Sequence, residues 1–246
     1  TKIDYLVGLE KQQRIDPKAL PRTPKHEGDA DGATEALRYV AEEQDYDSKR
    51  SAVWRNMLVE GFGGIGVSVA EATDYSGKPG VEVRIRRYSW DRLFYDPHSS
   101  ETDFSDAGYL GAVLWMDYDD ALAMYKDNPD AANILDTTLT TAPSDTYDDK
   151  PKHSLWADKK RKRVRICQIW VKRDEQWHFA EYTKGGILKA GPSPYKTDKG
   201  ESDCELFLQS AYCDRDNNRY GLVREMISLQ DEINKRRSKS LHLLSA

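Results

Sequence analysis

The densest concentration of a single chemistry is the basic run Lys159-Lys160-Arg161-Lys162-Arg163, joined two positions later by Arg165. Cationic side chains at this density suit duplex phosphates, which attract charge without being read for sequence. They suit an acidic protein partner equally well, and a solvated hairpin flank is a third reading. A second group, Lys235, Arg236, Arg237 and Lys239, matches the negative end of a helix and could also meet phosphate or a neighbouring subunit. The charge around these groups is segregated. Residues 101–150 carry 12 acidic and 2 basic residues and residues 151–200 carry 13 basic and 5 acidic, although the net charge is only -5. An acidic surface therefore adjoins a basic one.

Other residues capable of chemistry do not assemble into a recognisable constellation. Asp103, Asp106, Asp117, Asp119 and Asp120 match neither a calcium loop nor a histidine-supported metal cluster. Asp117 is instead expected to cap a helix. His26, His98, His153, His178 and His242 are scattered, and their order implies no triad, because such sites are defined by geometry. The run Gly61-Phe62-Gly63-Gly64-Ile65-Gly66 lacks the strand before and helix after that a dinucleotide fingerprint needs, and lacks the closing Gly-Lys-Ser/Thr of a phosphate loop. It reads as a flexible helix-to-strand turn. Cys167, Cys204 and Cys213 are odd in number and widely spaced, which favours reduced, partly buried thiols over disulfides or zinc. No catalytic residue, cofactor or metal ligand is assigned.

The elements that position these groups follow from periodicity. Ile3 to Val7 reads as a short extended piece, and Pro17, Pro21 and Pro24 impose an irregular path after it. Helices are predicted over 33–43 and 48–60, the second capped by Ser48 and ended by Gly61. Val67 and Val69, then Val81, Val83 and Ile85, alternate about a turn at 76–80, a hairpin pattern. Tyr88, Trp90, Leu93 and Phe94 are read as core. A strand is predicted over 108–115, a helix from Asp117, a short helical piece over 130–135 and a polar linker over 137–151. Val164, Ile166, Gln168 and Trp170 alternate with Arg165, Cys167, Ile169 and Val171, and Trp177, Phe179 and Tyr182 lie on the return strand. These aromatics could stack bases, but strand alternation favours a small core. A further strand or extended segment is expected over 205–212. Last comes the clearest element: Leu222, Met226, Leu229 and Ile233, continuing through Arg237, Leu241 and Leu244, mark one face of a helix of roughly 24 residues.

Bulk composition sets the frame. The chain has 246 residues, 38% hydrophobic and 32% charged, with six tryptophans and fourteen tyrosines. That is enough for one large or two small cores and too aromatic for a disordered chain. No apolar stretch approaches about 18 residues, so no membrane span is expected, and no signal peptide is visible. The absence of an initial Met and the ending just after a helical run are what a segment of something longer would show.

Three stretches together resemble a known family. Tyr88-Ser89-Trp90-Asp91-Arg92-Leu93-Phe94-Tyr95-Asp96-Pro97, with Ser99, is similar to the arginine–aspartate–proline segment of portal proteins from short-tailed phages. Gly108 to Tyr125, with Trp115-Met116-Asp117 and Asp119-Asp120-Ala121, resembles the helix-opening segment that follows it. Tyr220-Gly221-Leu222-Val223-Arg224, then Gln230 to Ser238, resembles the family's glycine–arginine and glutamine–asparagine–arginine–serine helix. Val7-Gly8 with Gln12, Gln13, Arg14 and Asp16 resembles an early family segment. The patches stand in family order over well over half of the chain.

The resemblance implies an α+β fold with a mixed wing domain over 1–116, a stem-leading helix and linker over 117–151, a strand-rich clip unit over 152–219 and a long amphipathic stem helix over 220–246. It implies a non-enzymatic homo-oligomer, a ring of about twelve at one capsid vertex. Double-stranded DNA would pass through the ring without sequence reading, and the implied partners are capsid protein, the terminase packaging motor and a tail adaptor. The place of such a protein is the virion. A nucleic-acid-binding module built on residues 159–165 is the alternative.

Overall fold

The computed structural model describes residues 2–21, 23–73, 77–141 and 155–245. The chain forms two compact units, one from residues 1–90, 100–104 and 207–246, the other from 91–99 and 105–206.

The first unit opens with helix α1, Lys2–Gln12, where an extended piece was expected over Ile3–Val7. Long-range polar contacts override the local β preference of Ile3, Tyr5 and Val7. Glu10 receives Arg14 at 3.2 Å, Arg50 at 3.1 Å and the Ser51 hydroxyl at 2.6 Å, and Asp4 pairs with Arg55 at 2.8 Å. Burial pushes the Glu10 carboxyl up, but the Arg14 and Ser51 hydrogen bonds outweigh it and hold it below its ordinary value. Helix α2, Glu27–Glu43, starts six residues before its predicted position, and α3 spans Tyr46–Val59. Asp45, in the left-handed region at φ 45°, stands at the N-cap of α3 in place of Ser48.

Strand β1, Phe62–Thr73, takes in almost all of the glycine run that was expected to be a turn, and only Gly61 turns, at φ 101°. Glycine serves packing here, since a Cβ on Gly63 would lie 3.1 Å from Val53 of α3. Strand β2, Pro79–Tyr88, pairs with β1 antiparallel from Gly64↔Tyr88 to Thr73↔Pro79, so the hairpin forms as expected. Ser76 of its expected turn lies outside the described residues. Tyr88 is buried, whereas Trp90 is 40% exposed.

The second unit holds the larger sheet. Strands β3 (Leu93–Tyr95) and β4 (Tyr109–Asp117) come first, then helices α4 (Tyr118–Met124) and α5 (Ala131–Thr140). Residues 137–140 of the expected linker belong to α5, and the part from 142 to 151 lies outside the described residues. Strands β5 (Ala157–Asp158), β6 (Arg163–Arg173), β7 (Gln176–Thr183) and β8 (Gly186–Pro192) complete the unit. The order is β3-β4-β6-β7-β8 with β5 also on β6, and every recorded pairing is antiparallel. Ala121, Tyr125, Ala131 and Leu135 of the helical segment pack on Val164, Ile166 and Leu188 of the sheet. Burying the Leu135, Val164, Ile166 and Leu188 side chains contributes about 1.5–3 kcal/mol each. Trp170 fills the other end of this face, with ring centres 5.4 Å from Phe179 and 5.9 Å from Tyr195.

Back in the first unit, β9 (Leu206–Ser210) adds to β1, giving the order β2-β1-β9, and β10 (Tyr212–Cys213) pairs with β11 (Arg219–Tyr220). Arg219 is buried and holds residues 100–104 in place. Its guanidinium lies 4.4 Å above the Phe104 ring and reaches the Ser100 carbonyl at 3.4 Å. Helix α6 then runs from Leu222 to Ser245, 24 residues, as its periodicity predicted. The architecture is α+β.

Candidate interaction surfaces

The basic run forms a tight turn between β5 and β6. Asp158 is its organiser, a side chain only 4% exposed that accepts the Arg161 backbone N–H and the Arg161 guanidinium, both at 3.1 Å. Lys162 turns through the left-handed region at φ 48°, and its carbonyl accepts the Tyr118 N–H at 2.9 Å. Lys159 donates to the Thr140 carbonyl at 3.0 Å. Arg163 lies 2.9 Å from Asp117, its register partner across β4 and β6, and also donates to the Trp115 carbonyl. Arg165 lies over the Trp156 ring at 5.2 Å. Four of the six cations thus engage partners within the unit, and Lys160 and Lys162 present exposed side chains.

This geometry corrects the expected cap. Asp117 stands at the N-cap position of α4 with an extended backbone, but its carboxylate makes no capping bond. Arg163, directly opposite on the neighbouring strand, draws it instead.

Asp158 makes the turn sensitive to acid. Burial raises its pKa, but the Arg161 N–H and guanidinium outweigh burial, so the carboxyl lies below its ordinary 3.8. A depressed folded pKa gives stability that is present above the unfolded value and lost as pH falls through the folded one. Asp158→Asn should therefore lower stability by about 1–2 kcal/mol at neutral pH. In urea titrations at stepped pH, the difference from the parent chain should shrink below about pH 4. A difference that stays constant into acid would show that the ion pair does not hold the turn.

On α6, Lys235, Arg236, Arg237 and Lys239 are all exposed, and Arg236 pairs with Glu232 one turn back. The cluster is legible in the sequence, whereas the extent of exposed apolar surface beside it is not. Ile227, Leu229, Ile233, Leu241, Leu243 and Leu244 are each between 54% and 84% exposed. Between α1 and α6 lies a groove of about 650 Å³ whose lining includes Ile3, Met226, Leu229 and Ile233.

Asp96 and Asp106 have structural partners. Asp96 accepts the His98 N–H at 2.9 Å and the Gly108 N–H at 3.0 Å, and Asp106 accepts the Ser99 hydroxyl at 2.6 Å. The aspartate–proline segment thereby closes the loop between β3 and β4. Cys167 and Cys204 are buried and Cys213 partly so, and all three are free thiols. Burial pushes the Cys204 thiol up to about 12. Among the described residues, no three His, Cys, Asp or Glu side chains gather as a metal site, and no helix is long and apolar enough to cross a membrane.

The exposed apolar side chains of α6 make that helix a candidate contact surface of this α+β chain. The family described as Phage P22-like portal protein matches residues 1–176 and 172–246, so the chain belongs to the P22-like portal family. It is also similar to the portal protein of Helicobacter pylori bacteriophage KHP30, with 22% identity over 218 residues, which is 86% of this chain. The chain spans about a third of that relative's length, 32%.

Proposed function

We propose that this chain is part of a structural, non-catalytic subunit of a ring-shaped portal of about twelve copies at one capsid vertex. The ring is the conduit for double-stranded DNA during packaging and ejection, and it carries the docking surfaces for capsid protein, terminase motor and tail adaptor. Helix α6 serves as a stem helix. The observation that carries this reading is the family match along the whole chain. The uncovered apolar side chains of α6 support it, since a ring supplies a neighbour to each copy.

The basic turn 159–165 fits a protein-facing or structural role better than a free nucleic-acid module, because four of its six cations already have partners. Contacts to moving DNA must be weak, and tight phosphate binding would pin it. Two measurements on the chain test the proposal. Native mass measurement should find a closed oligomer of about twelve copies, and a chain monomeric at all concentrations would overturn the ring. Duplex DNA titrated between 50 and 200 mM salt should bind the chain weakly throughout. Tight binding that falls about 10³-fold or more over that range would favour the nucleic-acid module instead.

A further inference from the structure

The charges of α6 are sorted along its length. Its first half carries Glu225, Asp231 and Glu232, with Arg224 drawn off to Asp214 at 2.9 Å. Its second half carries Lys235, Arg236, Arg237 and Lys239 and no acid. On the track Leu222, Met226, Leu229, Ile233, Arg237, Leu241 and Leu244, the charged position is Arg237, between Ile233 and Leu241. At 3.6 residues per turn, Glu225, Arg236 and Leu243 fall on one flank of the stripe, and Ile227, Arg237 and Leu241 on the other. All six side chains are exposed.

Copies in a closed ring make heterologous contacts, with one flank of each helix against the opposite flank of the next. Level side-by-side packing would set Arg237 of one copy beside Arg236 of its neighbour and would lay the basic second halves of the two helices against each other. Like charges held together in this way oppose association. Sliding one helix by about twelve residues, roughly 18 Å at 1.5 Å per residue, removes the conflict. Arg237 then meets Glu225, its counter-charge, and Leu241 meets Leu229.

Resting on the ring reading above, we infer that neighbouring copies pack their α6 helices with this axial offset, the basic second half of one against the acidic first half of the next, with Glu225 and Arg237 in contact across the interface. The offset requires the helices to be inclined to the ring axis, because copies related by rotation alone share one height.

Disulfide trapping in the full chain tests the register. In a Cys213→Ser background, Glu225→Cys and Arg237→Cys are introduced together. Both positions are exposed, so the fold should tolerate them. Within one helix they lie roughly 18 Å apart, whereas a disulfide needs Cβ atoms about 3.5–4.5 Å apart, so any bridge joins two copies. Oxidation should give a covalent ladder rising to the full ring on a non-reducing gel. Each single cysteine variant should stay monomeric on that gel. A ring by native mass with no ladder from the double variant would overturn the offset and leave the ring reading standing. A monomer by native mass would remove both.

Charge exchange gives a second readout. Glu225→Arg or Arg237→Glu alone should raise the concentration for half-assembly by about tenfold. The two together should return it toward the parent value. Losses that simply add would overturn the contact.

Discussion

Gly61→Ala is expected to lower the unfolding free energy by about 3 kcal/mol or more. Gly61 sits at φ 101°, where an L side chain is strained, and an added Cβ would come within 2.4 Å of the Tyr220 backbone. Because the obstacle is main chain, no rotamer change relieves it. The same junction is crowded from the other side, where a Cβ on Gly221 would stand 2.5 Å from the Leu58 carbonyl. The end of α3, the start of β1 and the entry to α6 therefore meet backbone to backbone, which only glycine permits. Gly8→Ala is the control. A Cβ there meets nothing within 4 Å, and in the interior of α1 the change should stabilise by about 0.5–1 kcal/mol. Urea unfolding measures both, and hydrogen exchange should place the Gly61→Ala loss in β1 and α6. A Gly61→Ala chain as stable as its parent would mean that this junction is not packed as described.

The second large effect is expected in the other unit. Trp170 is 2% exposed and packs against Phe179 and Tyr195. Trp170→Ala removes the largest fully buried side chain and leaves a cavity that rigid strands cannot close, a loss of about 3–5 kcal/mol. Faster exchange should appear in β6, β7 and β8, while the ladder between β1 and β2 keeps its protection. Trp170→Phe should recover part of the loss. Unchanged exchange in β6 and β7 would show that this ring is not a core element.

What could be read from sequence alone followed the range of the interactions responsible. The α6 helix and the β1–β2 hairpin are set by local periodicity, and both appear where the spacing of Leu222 to Leu244 and of Val67 to Ile85 placed them. Helix α1 was misread because its determinant is remote: Glu10 is engaged by Arg50 and Ser51, some forty positions away. The glycine run was misread for a similar reason, since the closeness of Val53 to Gly63 is visible only once α3 lies on β1. At the basic turn, the residue types were legible and their engagement was not. The i, i+3 spacing of Asp158 and Arg161 was a signal that could have been used. The pairing of Arg163 with Asp117 was not, because it depends on the register of β4 against β6. The uncovered side of α6 was likewise invisible, because periodicity marks a stripe as apolar without saying whether anything lies against it.

The order in which the two units can be completed differs from the order in which they begin. Residues 1–90 leave the ribosome first, yet their sheet lacks its third strand until β9, at 206–210, has been made. Residues 91–99 and 105–206 contain every strand of the larger sheet, so that unit can close while its elder neighbour still waits. During synthesis, the edge of β1 that β9 will occupy stays open for the time needed to add more than a hundred residues, several seconds to tens of seconds at about 5–20 residues per second. An unpaired edge is a template for any passing strand. Nascent chains of this protein therefore run their greatest risk of mispairing with each other between the synthesis of β1 and that of β9, while the second unit is being made.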